Sequence, residues 1–481
     1  MNSIISDIKC IVEGEVTNTP EILGDVSQDF GRIIQKQPQL VVRPQNSADV
    51  VQVVKYALEQ GLTISPRAGG NSLGGQCLNQ DGIVLDMRNF NQIHEIQKEM
   101  LWFQADTGVT WREVIVSSLP HGLIPPSLTN YIDATLGGTH SAGGLGNSSF
   151  RYGTQADNCL GLEVVTGTGE LVWCTPEENS ELFYHVLCGY GQFGIITQVR
   201  HRLRRYRPST RTYFLLYDNL DAFLNDKQVL TQQGRIDYLL SVPNSCLELF
   251  SKAVRKPLMQ WFYLLQVTVE ADSTNSINDE EVLSGLNFYR HIHTQDLNFD
   301  EFVIPALKVG APSNTVHPWI DLLIPGSKAK TYIQTVLERL PSILDCGNTL
   351  IGSFCLFQHT TNMPMFRVPD EDFIVGLGIY PIIPKSQLQP VLAELESLTE
   401  LGLKMGAKRY LTGWVKFDLQ QWRVQFGDYW STVNEIKRKY DPQAILNPGF
   451  LQYERVAHPH EIYKQQTHLT EDAIAKSRSV A

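Results

Sequence analysis

From Leu40 to about residue 200, short apolar runs alternate with helical repeats. Leu40–Arg43 is apolar and ends at Pro44, which cannot continue the run. Val50, Val53, Val54, Ala57 and Leu58 then recur at helical spacing, with Ser47 placed to cap the helix and Gly61 to close it. Leu62–Pro66, Gly82–Met87, Leu101–Ala105 and Leu160–Val165 read as strands, and Trp111–Leu119 reads as a helix. Residues 1–37 are polar and irregular, with helical potential.

From about Thr212 the texture changes. Long apolar strands appear at Tyr213–Tyr217, Trp261–Val269 and Phe373–Tyr380, together with helices at Lys328–Leu340 and Pro390–Leu401. This predicts a second domain, an antiparallel sheet with helices on one side, and an α+β chain as a whole. The tail returns to a polar helix over Gln420–Lys439. A chain of 481 residues is too long for one core and fits two domains of roughly 200 residues each.

Charge and composition remove several classes. A net charge of −11 argues against nucleic acid as the main partner. The one basic run, Arg200 to Arg207, reads as a solvated strand edge. No apolar stretch approaches the roughly 20 residues a spanning helix needs, and the N-terminus lacks the pattern of a secretory signal. Eight scattered cysteines without a CxxC pair read as reduced thiols. The pairs His291/His293 and His458/His460 read as strand or loop residues rather than metal ligands. A cytoplasmic protein without a metal is the expectation.

Three glycine-rich segments carry candidate chemistry: Arg67-Ala-Gly-Gly-Asn-Ser-Leu-Gly-Gly-Gln76, Gly137 to Ser149, and Gly189-Tyr-Gly-Gln-Phe-Gly194. Glycine lets the backbone approach a ligand closely, and successive N–H groups hold phosphate oxygens. The first two, rich in Ser, Thr and Asn and poor in charge, predict a pyrophosphate or flavin site. The third matches GxGxxG, but it follows a helical pattern and precedes a strand, the reverse of a Rossmann fingerprint.

These segments, with Asn130-Tyr131, Thr135-Leu-Gly-Gly-Thr-His-Ser141, Phe150-Arg-Tyr-Gly153, Val164 to Gly169 and Gly191 to Thr197, resemble the FAD domain of vanillyl-alcohol-oxidase-like (PCMH-type) flavoproteins. Within that group the chain is most similar to cytokinin dehydrogenases, whose later segments match His317-Pro-Trp-Ile-Asp-Leu, Val368 to Phe373 and Asp441 to Gly449 in order. The resemblance implies an FAD domain from residues 1–205 with a returning segment 415–481. It also implies a substrate-binding cap over 206–414. It implies oxidation of N6-isoprenoid adenines by hydride transfer to flavin N5, an imine that water splits to adenine and an aldehyde, and oxygen or a quinone as electron acceptor.

Carried over by position, Arg67, Ala68, Gly69, Gly70, Asn71, Ser72 and Gln76 line the flavin and pyrophosphate. Thr135, Gly138, Ser141 and Leu145 follow the same ligand. Ile196 contacts the adenine half, and Tyr410 and Asn447 approach the isoalloxazine from the other side.

Two positions depart from the family. Asn71 stands where the family carries a histidine bonded to the flavin, and residues 120–145 contain no cysteine, which implies non-covalent FAD. Asn130 stands where the family carries its catalytic aspartate, and an amide cannot take a proton from the substrate amine. Asn130 remains able to orient the amine by accepting a hydrogen bond. Asp133, three residues on, is the substitute base to test, with His140 and His121 as further acceptors. The missing carboxylate keeps other substrates open: an alcohol, a sugar or a hydroxy acid, or binding with little turnover.

Overall fold

The computed structural model describes residues 2–245, 261–304, 314–344 and 346–453; Cys246 and the pair His458/His460 lie outside them. The N-terminal half holds two larger sheets and a two-stranded ribbon of Leu123–Ile124 with Arg204–Arg205. In the first, Leu40–Arg43, Ile83–Asp86 and Ile64–Arg67 run parallel, and Glu15–Thr17 closes the edge antiparallel. Its strands are nearly continuous apolar runs because helices cover the sheet, as parallel sheets require. The predicted helix forms over Ser47–Gln60 and ends on Gly61 in the left-handed conformation. Its cap is Asn46, whose side chain accepts from Asp49 N, not Ser47. Ser47 instead donates to Glu163 at 2.5 Å.

The second sheet is antiparallel, in the order Ile93–Gln97, Trp102–Asp106, Ile195–Arg202, Cys159–Val165, Leu171–Cys174. Ile195–Arg202 lies in its middle, so Arg200 is not at an edge, whereas Arg202, Arg205 and Arg207 are exposed and Arg204–Arg205 forms a two-stranded ribbon with Leu123–Ile124. The Arg200 guanidinium sits 4.6 Å from the Trp102 ring centre and 5.1 Å from that of Trp173. Arg204 pairs with the buried carboxylate of Glu270 at 2.5 Å.

The C-terminal half is one antiparallel sheet running from Arg290–Asn298 through Ser209–Tyr217, Trp261–Ala271, Tyr238–Ser245, Asn348–Phe357, Phe373–Pro384 and Ile320–Pro325 to Lys408–Tyr410. Successive side chains point to opposite faces. Tyr213, Leu215 and Tyr217 face helices Leu220–Gln232, Gly326–Arg339 and Leu388–Lys404, forming one core. Leu323, Leu356 and Ile374 face the other way and join Phe103, Trp111 and Val164 of the N-terminal half. The sheet is thus a wall between two cores. Helices Leu419–Phe426 and Trp430–Tyr440 return to the N-terminal core through Trp422, Phe426 and Val433. The single predicted helix over Gln420–Lys439 is broken at Gly427, whose φ of 60° leaves the helical region.

Candidate active site

The three glycine loops meet. The first leaves strand Ile64–Arg67, turns at Gly70 with φ +65°, and leaves Gly69 and Asn71 exposed. A Cβ at Gly69 would lie 3.9 Å from Thr135 Cγ2, so this loop abuts the start of helix Leu136–Ala142. On that helix a Cβ at Gly137 would overlap Thr107, whereas Gly138 is exposed. The third loop is tied to the second: Cys188 N donates to His140 O and Tyr190 N to Ser141 O, each at 2.8 Å. Asn447 closes the ring. Its N–H donates to Ile64 O at 2.7 Å, its amide to Tyr190 O at 2.5 Å, and its carbonyl accepts from Gln192 at 2.8 Å.

Three non-glycine residues of these loops hold left-handed backbone angles. Cys188, Tyr190 and Asn447 have φ of 57°, 54° and 48°. Non-glycine residues hold such values where the surroundings impose them, as ligand clamps do.

The assigned side chains divide into two groups. Arg67 donates to Gln28 O at 2.9 Å, Ser72 to Asp29 at 2.9 Å, and Gln76 to Leu411 O and Gly413 O at 3.1 Å. These three hold the first loop in shape, and Ala68 packs toward the first sheet's core. Ile196 is buried in the core beneath the second sheet. Gly69, Asn71 and Gly138 are exposed, Gly70 and Ser141 are half-buried and Thr135 is buried, and their loops together form a glycine-rich floor. Leu145 lies half-buried at its end, beside Gly144, whose N–H donates to Tyr410 Oη at 3.1 Å. Tyr410 thus reaches the second loop from the C-terminal sheet.

The proton acceptors divide differently. Asn130 is exposed. Asp133 is bidentate to Arg112, at 2.5 and 3.1 Å, and this partner holds its carboxyl below the usual range. A base needs the opposite shift, so Asp133 is a structural ion pair. His140 is fully buried, with Nδ1 2.7 Å from Leu136 O and Nε2 3.1 Å from His201; burial pushes it down to about 4. It stays neutral inside the core. His121 ends the short helix Leu119–His121.

Asp321, the acid of the segment His317-Pro-Trp-Ile-Asp-Leu, is given no role by the sequence, yet its side chain leaves the sheet on the face turned to the N-terminal half. It is the antiparallel partner of Tyr410, so both side chains leave the same face of the C-terminal sheet. On its other side are Gly378 and, one strand further, Gly352. Tyr380 lies over these glycines and donates its hydroxyl to Asp321 Oδ1 at 2.6 Å. Burial pushes Asp321 up to about 6, against the opposing pull of Tyr380 and Arg409. The available signal was an acid inside the buried strand Ile320–Pro325.

The floor suits a large anionic cofactor. Glycines leave backbone accessible where side chains would fill the space, and both amide atoms of Gln155, buried behind Gly144, lack a partner among the described residues. No group of acidic, histidine or cysteine residues that could hold a metal occurs among the described residues, and no helix there is long and apolar enough to cross a membrane.

Comparison with known proteins names the cofactor. Residues 38–175 match the family described as FAD binding domain, and residues 209–452 match that described as cytokinin dehydrogenase 1, FAD and cytokinin binding. An uncharacterized oxidoreductase, ORF5 in the fasciation locus of Rhodococcoides fascians, is 31% identical over 89% of this chain and 96% of its own length. Cytokinin dehydrogenase 10 of Oryza sativa subsp. japonica is 29% identical over 88% of this chain and 86% of its own. Cytokinin dehydrogenase 1 of Arabidopsis thaliana is 29% identical over 88% and 80%. The chain belongs to the cytokinin dehydrogenase family and is an FAD-dependent oxidoreductase of that type.

Proposed function

We propose that this protein oxidises an N6-isoprenoid adenine at the carbon beside its side-chain nitrogen, giving an imine that water splits to adenine and an unsaturated aldehyde. The observation that carries this reading is the match of residues 209–452 to a FAD- and cytokinin-binding pattern. Those residues include the wall that faces the glycine loops. In this reading residues 1–205 and 415–481 hold FAD, and 206–414 hold the substrate.

Bound FAD supplies the two-electron acceptor for the substrate C–H bond. The chain's own residues do the rest. The backbone at Gly69, Gly70 and Gly138 and the hydroxyls of Thr135 and Ser141 bind the cofactor along the floor, and Asn71 lies beside it without a bond to it. The exposed Asn130 accepts a hydrogen bond from the substrate amine as it enters, and its amide does not take the proton. Phe366, packed against Gly143 and 5.5 Å from the Tyr410 ring centre, supplies an apolar surface beside the second loop.

One observation favours a second reading. Asn130 removes the carboxylate most closely tied to an amine, which suits an alcohol, sugar or hydroxy acid, or a binder with little turnover. Incubation with isopentenyladenine and either oxygen or a quinone separates the two. Adenine and an aldehyde in equal amounts, read by mass spectrometry, are expected. Intact isopentenyladenine, alongside turnover of a sugar or hydroxy acid, would replace the first reading with the second.

A further inference from the structure

We propose that Asp321 is the catalytic base, taking the substrate's proton from the cap side of the site, with Tyr380 as its positioning residue. The proposal rests on the amine-oxidation reading above. The geometry supplies what the floor lacks. Asn130 is an amide, Asp133 is committed to Arg112, and His140 is enclosed in the core. Asp321 shares a sheet face and a pairing register with Tyr410, whose hydroxyl reaches Gly144 in the second glycine loop. The carboxylate beside Tyr410 therefore leaves the sheet on the same face as the hydroxyl that meets this loop.

The surroundings of Asp321 suit the task. Tyr380 fixes Oδ1 at 2.6 Å, and among the described residues no group is hydrogen-bonded to Oδ2. Gly378 and Gly352 leave the space that the Tyr380 ring needs to reach across two strands, and a Cβ at Gly378 would collide with its hydroxyl. Trp319, 5.2 Å from Tyr380 between ring centres, braces that ring. The groups that bear on Asp321 are Tyr380 from one flanking strand, and Tyr410 and Arg409 from the other. The Arg409 guanidinium donates to Asp321's backbone carbonyl, Thr399 and the Trp414 carbonyl, and forms no ion pair with the carboxylate. With its carboxyl pushed up to about 6, Asp321 is mostly ionised at neutral pH and still basic enough to accept a proton.

The step balances. The amine N–H bond breaks, its proton goes to Asp321 Oδ2, and its electron pair forms the C=N bond. The neighbouring C–H bond breaks with its hydrogen and both electrons leaving to FAD, so the substrate loses one proton and one hydride.

The test uses FAD-loaded protein and two readouts. Infrared difference spectra between acid and neutral pH should show a carboxyl C=O band titrating near 6 that Asp321→Asn removes. Anaerobic flavin reduction by isopentenyladenine should accelerate with rising pH through the same ionisation. Asp321→Asn, which keeps a partner for Tyr380, should reduce flavin roughly 10²- to 10⁴-fold more slowly, the usual range for losing a general base. Tyr380→Phe removes a donor that stabilises the carboxylate, so its pH limb should move to higher pH while most of the rate remains. A melting curve and FAD fluorescence confirm that each variant is folded and loaded.

Unchanged rate and pH limb in Asp321→Asn, or a carboxyl band indifferent to that substitution, would overturn the proposal. If isopentenyladenine fails to bleach even the wild type, the amine reading falls, and the infrared band still decides whether Asp321 holds the proton.

Discussion

Replacing Asp441 with alanine is expected to lower the unfolding free energy by about 3–5 kcal/mol, the usual cost of leaving a buried charge without its partner. Lys437 and Asp441 are both essentially fully buried, 2.6 Å apart, one turn apart along the chain. Lys437 Nζ also donates to Gln192 O at 2.8 Å and Leu446 O at 3.1 Å. Asp441 accepts the N–H groups of Ile445 and Leu446, at 3.0 and 2.8 Å. Alanine therefore strands an ammonium in the core and frees two backbone donors at once. The damage reaches the active site, because Leu446 bridges to Ile64 and the next residue, Asn447, closes the ring of loops. FAD content should fall together with stability. The double variant Lys437→Met/Asp441→Ala should recover part of the loss, since no unpaired charge remains. Urea unfolding of the three variants checks this, and a loss below about 1 kcal/mol for Asp441→Ala would show that the pair does not anchor the loop.

The second large effect is all-or-none. Acid precipitation of the yellow protein is expected to leave a colourless pellet and release all the flavin to the supernatant. A covalent link needs a nucleophile at the ring, and Asn71 offers only an amide. Two thiols lie near the loops. Cys77 is bonded to Arg67 and Ser72, and Cys188 is fully buried under Gly143. Burial raises both thiols' pKa, which keeps them protonated and unreactive. Colour retained in the pellet would show a bond that this arrangement does not provide.

The parts legible in the chain are those set by local chemistry. Short apolar runs locate the three parallel strands of the first sheet, and helical spacing locates helix Ser47–Gln60, whereas the edge strand Glu15–Thr17 falls in a segment read as irregular. The glycine loops are legible because a backbone that must approach a ligand excludes side chains. Long-range pairing is not legible. The basic run finds its partner in Glu270, 66 residues from Arg204, and no local pattern announces that. The choice of Asn46 over Ser47 as cap turns on backbone angles, since both residue types can accept the bond. The helix break at Gly427 is a glycine whose tolerance in a helix hides its use as a stop. Asp321 is hidden for a related reason. Within Ile-Asp-Leu-Leu-Ile-Pro it is one acid in an apolar run, and only the register against Tyr410 and Gly378 places it over the site.

The most direct test of cytokinin-dehydrogenase chemistry in this chain is anaerobic mixing of the FAD-loaded protein with isopentenyladenine while the visible flavin absorbance is followed. The account predicts that the band bleaches, because the substrate's C–H electrons pass to the flavin before any external acceptor is present. A band that keeps its intensity with isopentenyladenine and bleaches with a sugar or a hydroxy acid would contradict it.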